Sequence, residues 1–184
     1  MNNKRIYFIR HCKAEGQEPT AALTKDGLES AKNLVEILKA FQIDYLISSP
    51  YERAIQTILP FSQDTGLPLH IHEGLSERVL SKEPMDDWLE KLKRTFLHKD
   101  LSFPGGESSD EALNRIKEVI NEVIGRDDVT NVAIVSHGNI LALLFHHYDN
   151  SFGFDQWLQM KNPDIFLIEN NILQQVELKE ILSN

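Results

Sequence analysis

Two short apolar runs each lead into a histidine, and this pairing constrains the fold more than any other feature of the chain. Ile6-Tyr7-Phe8-Ile9 runs into Arg10-His11, and Val132-Ala133-Ile134-Val135 runs into Ser136-His137. The first is rich in β-branched and aromatic residues, the composition of a strand. The second is continuously apolar, as expected of a strand covered on both faces. A buried strand that delivers polar side chains at its carboxyl end fits an open α/β sheet, where ligands bind outside the carboxyl ends of the strands.

The intervening sequence alternates in the same way. Thr24 can cap a helix whose apolar face is Leu28, Ala31, Leu34, Val35 and Leu38. Ile43–Ile47 reads as a second strand, stopped by Ser48-Ser49-Pro50, where proline suits a helix start. Tyr51, Ala54, Ile55, Ile58 and Leu59 mark the next helix, with a disturbance expected at Pro60. Leu69–Ile71 reads as an edge strand. Met85–His98 reads as a helix through Trp88, Leu89, Leu92 and Phe96, with Trp88 in a small core. Ser108 and Glu111 have capping-box spacing ahead of Leu113, Ile116, Val119, Ile120 and Val123, and Gly125 closes that helix. Ile165–Ile168 and Ile172–Val176 read as a terminal hairpin. The expectation is one α/β domain over residues 1–184, a three-layer sandwich with a mostly parallel central sheet flanked by helices. Residues 75–103 are expected to form a partial cap over the carboxyl edge.

Composition narrows the partners. The formal net charge is −9 with a pI near 5.2, which argues against a nucleic-acid surface. No apolar run reaches the ~18 residues of a membrane span, and the apolar stretch before Arg10 is too short for a signal-peptide core. The lone Cys12 excludes an internal disulfide and a cysteine-rich zinc module. A cytoplasmic location is therefore expected. Nothing in the sequence sets an oligomeric state.

Three strand-to-helix junctions offer Arg10 with His11, Arg53, and His137. In a mostly parallel sheet these junctions share one edge. Guanidinium forks match phosphate oxygens, helix amino termini favour anions, and a neutral imidazole is a nucleophile near physiological pH. Two histidines and two arginines make a poor cation site and a good phosphoryl site. An alkoxide leaving group would still need a proton, and Glu77, in Leu75-Ser76-Glu77-Arg78, is placed to supply it.

The chain resembles the histidine phosphatase superfamily, in its phosphoglycerate mutase-like branch. The resemblance rests on Arg10-His11, Leu23-Thr24 with Gly27, Ser48-Ser49-Pro50 followed by Arg53-Ala54 and Gln56-Thr57, Leu75-Ser76-Glu77, Pro104-Gly105-Gly106-Glu107-Ser108, and Val135-Ser136-His137-Gly138, in family order. It implies hydrolysis of a phosphomonoester through a phosphohistidine on His11. Arg10, Arg53 and His137 would hold the phosphoryl oxygens. Glu77 would protonate the leaving group and then activate water. Gln17, Thr24 and the backbone amide of Gly138 would help line the pocket. No metal or organic cofactor is implied. The expected partner is a small phosphorylated substrate, with a phosphopeptide as the larger alternative, and neither nucleic acid nor membrane.

The sequence departs from the family pattern twice. Cys12 follows the nucleophile where glycine is usual, so either a relaxed backbone or a small pocket for the thiol is expected there. Gln17 stands where asparagine is frequent. A cysteine-phosphatase loop starting at His11-Cys12 would need an arginine six residues after the cysteine, and that position is Glu18. Glu107 stands at a helix start, where its charge suits the dipole, and within possible reach of the pocket. The alternatives to a phosphatase are a phosphoglycerate mutase-type phosphotransferase, for which the stretch between Arg78 and Pro104 leaves little room, and a non-catalytic phospho-ligand-binding module.

Overall fold

Strand β1 (Arg5–Arg10) sends alternate side chains to opposite faces, and each face meets its own layer of helices. Ile6 and Phe8 join Val132 and Ile134 of β4 (Asn131–Ser136) beneath α4 (Ser109–Ile124) and α5 (Gly138–Tyr148). Tyr7 and Ile9 join Ala133 and Val135 beneath α1 (Lys25–Ala40) and α2 (Glu52–Thr65). Every residue of β4 is buried, as its unbroken apolar pattern predicts. Each fully buried Ile, Leu or Phe in these layers contributes roughly 1.5–3 kcal/mol.

The computed structural model describes residues 4–177. Its sheet also contains β2 (Tyr45–Ser48), β3 (Leu69–Ile71), β5 (Asp164–Glu169) and β6 (Ile172–Gln175), in the order β3-β2-β4-β1-β5-β6. The first four of that order are mutually parallel, and β5 runs antiparallel to β1. The three-layer, mostly parallel sandwich is the architecture expected. The β5–β6 hairpin turns at Asn170 and Asn171, both at positive φ. Asparagine tolerates that conformation, which a two-residue type I′ turn requires at both positions.

Local readings met several corrections. The Thr24 cap is present, with its hydroxyl accepting the Gly27 N–H. Leu28, however, is exposed, and Ile37 takes a place on the buried face of α1. Helix α2 runs through Pro60 to Gly66, which caps it at φ 74°. Gln56, whose carbonyl loses its N–H partner, and Pro60 both lie on a partly exposed face, where water can take that bond. The buried face of α2 is Arg53, Ala54, Thr57, Ile58 and Phe61, while Leu59 is exposed. Helix α3 (Trp88–Leu97) is shorter than its pattern, and Trp88 is 49% exposed rather than part of a core. The capping box of Ser108 and Glu111 is formed. A sixth helix, α6 (Phe154–Gln159), was too short to read from periodicity, and its Phe154 packs edge-on against Phe96 of α3.

Candidate active site

The carboxyl ends of β1, β2 and β4 lie side by side, with Arg10 in register with Ser136 and Ser48 in register with Val135. Three junctions therefore open on one edge. Arg10 closes β1 and His11 follows it. Ser49-Pro50-Tyr51 leads from β2 into α2, whose first turn carries Arg53. His137 is the N-cap residue of α5, directly after β4.

His11 is fixed from several sides. Its backbone N–H donates to Ser136 O at 3.1 Å, and its own carbonyl accepts from the Asn162 amide at 2.8 Å. Its Nδ1 lies 2.7 Å from Cys12 O, so the ring proton sits on Nδ1. Nε2 is left with its lone pair, which accepts from Arg53 Nε at 3.1 Å. Burial above all, then the charges of Arg53 and Arg10, pull this imidazole from 6.5 to about 4, against an opposing effect of the Cys12 carbonyl. The ring is therefore neutral at physiological pH.

The arginines are held by backbone carbonyls. Arg53 Nη1 donates to Glu18 O at 2.8 Å, and its guanidinium lies 4.9 Å over the Tyr51 ring. Arg10 Nη1 donates to Met160 O at 2.7 Å, while Arg10 Nε is buried and bonded to no group among the described residues. Burial lowers the pKa of both guanidinium groups, and the charge of Glu77 opposes it in both.

His137 lies edge-on to His11, with ring centroids 5.1 Å apart, and edge-on to Tyr51 at 4.8 Å. Its Nε2 is 2.7 Å from Ser49 Oγ. Ser49 Oγ already accepts the Tyr51 N–H, so its hydroxyl proton is available to Nε2 and the ring proton is assigned to Nδ1. That Nδ1 is buried and bonded to no group among the described residues. Burial, then the charges of His11, Arg53, Arg10 and Arg115, hold His137 well below the ordinary histidine value. Gly138 allows a close approach: a Cβ there would sit 2.9–3.1 Å from Arg10 Nε, Cζ and Nη2. The Arg10 guanidinium thus rests against the start of α5.

Glu77 reaches the same helix start. Its Oε2 accepts the Asn139 N–H at 3.0 Å, and its Oε1 accepts those of Ile140 at 2.9 Å and Arg78 at 2.8 Å. Thr24 and Gln17 are placed differently. The Thr24 hydroxyl is engaged by Lys13 O and the Gly27 N–H, and Gln17 is exposed. Neither forms a hydrogen bond with Arg10, His11, Arg53 or His137 among the described residues. Cys12 has no positive φ, and it is buried in the same apolar cluster as Leu23, Leu34 and Ala54, where burial raises its thiol pKa to about 12. Its N–H donates to Thr57 Oγ1 at 2.9 Å. The backbone is thus unstrained and the thiol has its small apolar pocket. Glu107 is taken up by Arg115 on α4.

Sequence reasoning missed Ser49 and Tyr51 as neighbours of His137, although their place at the end of β2 could have suggested them. It also missed Met160 and Asn162, for which no motif gave a signal. Two guanidinium groups, an imidazole N–H and a helix amino terminus converge around a neutral imidazole nitrogen. That set fits a phosphoryl group. Among the described residues there is no group of three or more His, Cys, Asp or Glu able to hold a metal ion. No helix among them is long and apolar enough to cross a membrane.

Comparison with known proteins gives the same family as the motifs. The profile of the histidine phosphatase superfamily (branch 1) matches residues 6–170. An adenosylcobalamin/alpha-ribazole phosphatase of Salmonella typhimurium is 27% identical over 161 residues, covering 76% of this chain and 77% of that protein. Phosphoserine phosphatase 1 of Hydrogenobacter thermophilus is 31% identical over 151 residues, covering 72% and 70%. The structure of a mycobacterial glucosyl-3-phosphoglycerate phosphatase with VO3 shares the fold at a TM-score of 0.73, with 19% identity and coverage of 94% and 97%. With the profile spanning nearly the whole described chain, the protein belongs to the histidine phosphatase superfamily, branch 1.

Proposed function

We propose that the protein hydrolyses a small phosphomonoester through a phosphohistidine on His11. One observation carries the reading: a neutral His11 whose Nε2 lone pair lies among Arg53, Arg10 and His137, with Arg10 Nε and His137 Nδ1 unbonded among the described residues. Relatives named as phosphatases of an alpha-ribazole phosphate and of phosphoserine support it.

The phosphoryl oxygens bind Arg10, Arg53 and His137, with the Gly138 amide at the helix start. Arg53 exchanges its contact with His11 for one with the phosphoryl group. Nε2 attacks phosphorus, the N–P bond forms and the bond to the leaving oxygen breaks. A phosphomonoester monoanion brings one proton into the site, and that proton reaches the leaving oxygen by way of Glu77. Water then gives a proton to Glu77 and attacks phosphorus, the N–P bond breaks, neutral His11 returns, and Glu77 passes its proton to the departing phosphate, which leaves as the monoanion. The enzyme positions the transferring group and neutralises its charge. Guanidinium groups do the neutralising, so the reading calls for no metal, and turnover should withstand chelators. Residues 75–103 form the cap in this reading, and the location is cytoplasmic.

Rapid acid-free quenching after exposure to a labelled phosphomonoester tests the proposal. Wild type should carry an acid-labile phosphate, and His11→Ala should not. Wild type that neither labels nor releases phosphate sinks the proposal. Incubation with 3-phosphoglycerate separates the alternative, since isomer without free phosphate would make the protein a mutase.

A further inference from the structure

Glu107 lies in the Pro104-Gly105-Gly106-Glu107-Ser108 segment, yet the chemistry above gives it no role. Its carboxylate is gripped by Arg115 in a bidentate fork, Nε to Oε1 and Nη2 to Oε2, both at 2.8 Å. The remaining arm of Arg115 reaches away from that pair. Nη1 donates to Gly74 O at 2.9 Å and to Ser76 O at 3.1 Å. Ser76 O is the carbonyl directly before Glu77. Four of the five guanidinium N–H groups are thus engaged, two on a carboxylate and two on the backbone that carries the acid.

The same segment is tied on its other side. Glu107 N–H donates to Val79 O at 2.8 Å. Glu107 O accepts from Arg78 Nε and Nη2 at 3.1 and 2.9 Å, and Arg78 Nη1 donates to Thr95 and Ser109 hydroxyls. Glu107 therefore anchors the residues on both sides of Glu77, through Arg115 before it and Arg78 after it. The phosphoryl clamp is built elsewhere: Arg10, Arg53 and His137 are held by Met160 O, Glu18 O and Ser49 Oγ.

We infer that Arg115, oriented by Glu107, is a positioning residue that aims Glu77 at the leaving-group oxygen without acting on the phosphoryl clamp. The inference rests on the phosphatase reading. It separates two functions of one pocket, because a shift of Glu77 by less than an ångström leaves its charge beside the clamp and matters most where the leaving group needs a proton. An alkoxide needs one, and 4-nitrophenolate departs without it. A residue that merely supported the fold would affect both substrates alike.

The test compares kcat/KM for ethyl phosphate and 4-nitrophenyl phosphate in wild type, Arg115→Lys, Glu107→Gln and the double variant. This constant ends at phosphoenzyme formation, so the later attack of water does not enter. Lysine keeps the charge near His137 and Tyr51 but loses the planar fork. Each single variant should lose about tenfold or more on ethyl phosphate, since a sub-ångström misplacement is costly, and less than about twofold on the nitrophenyl ester. The double variant should be no worse than the poorer single one, as expected of residues acting as a unit. Glu107→Gln, which alters no heavy-atom volume, carries the test should Arg115→Lys unfold. Equal losses on both substrates, losses on neither, or additive losses overturn the inference while leaving the phosphatase reading intact. A wild type that releases phosphate from neither ester overturns both.

Discussion

Replacing His11 by asparagine tests the electrostatics of the pocket separately from turnover. The folded protein keeps this imidazole neutral down to about pH 4, because burial and the neighbouring Arg53 and Arg10 outweigh the Cys12 carbonyl. In an unfolded chain histidine titrates near 6.5. Between those values the unfolded state takes up a proton that the folded state refuses. Stability therefore rises with pH through this window and falls as acid is added. At 1.36 kcal/mol per pKa unit, the full penalty below about pH 4 is about 3 kcal/mol. At pH 5 it is about 2 kcal/mol, and at pH 7 it is nearly absent. Asparagine has no such penalty. Urea unfolding of both proteins at pH 7 and pH 5 should show wild type losing about 2 kcal/mol more over that step. His137 is the other titrating ring in contact, and its lowered pKa comes first from burial, so it contributes to both proteins. Equal losses would refute the reasoning and mean that the His11 ring accepts a proton as readily in the fold as out of it.

The remaining predictions concern its neighbours. Gly138→Ala places a Cβ 2.9–3.1 Å from the Arg10 guanidinium, and a shift of about half an ångström should weaken competitive inhibition by vanadate about tenfold. The urea midpoint should barely move, and unchanged inhibition would mean that Arg10 does not hold the phosphoryl group. Thr57→Val deprives the buried Cys12 N–H of its acceptor and should cost about 1–3 kcal/mol in urea unfolding; a loss under about half of that lower figure would show that another acceptor takes over. Glu77→Gln keeps the shape but sets an NH2 group against N–H donors at the start of α5. It should lower kcat/KM for an alkyl phosphate by about 10²–10⁴, and normal turnover would mean that the acid lies elsewhere.

The part of the site that was legible follows from chain continuity. Arg10, His11 and His137 adjoin strand ends, and Arg53 sits one helical turn beyond a third. A parallel sheet needs nothing more to bring them together. What escaped the sequence arrives from far along the chain. Met160 and Asn162 contact Arg10 and His11 because antiparallel β5 sets Asp164 in register with Arg10. An Asn-Pro pair reads only as a turn, with nothing in it to reveal that register. Gln17 shows the converse: its spacing matches a motif, but no strand or helix fixes where an amide in an open loop will point. Thr24 is held by α1 itself, whose N-cap bond takes up its hydroxyl. Leu28 and Trp88 were misplaced because apolar character sets a preference for burial, while the neighbouring elements decide whether a partner surface exists. Glu107 reads through the helix dipole because Arg115, its partner, lies about two turns into the helix that follows, beyond the usual capping distance.

A chain with net charge −9 has no long-range field to attract an anion. Its selectivity for one must be built from local, buried donors, and the geometry shows how that arrangement is sustained. Arg10 Nε and His137 Nδ1 are buried without a partner among the described residues, and in an ordinary core such groups cost about 1–3 kcal/mol each. Both side chains are held regardless, because each is bonded at another atom, Arg10 to Met160 O and His137 to Ser49 Oγ. Burial alone lowers the pKa of both arginines, and in each the first opposing influence is Glu77. The carboxylate thus has a role before any proton moves. Capping the start of α5, it offsets part of the desolvation of two guanidinium groups that stay charged there. An acid placed on the far side of the phosphoryl group could serve the leaving oxygen equally well, but it would leave the clamp to bear its own desolvation.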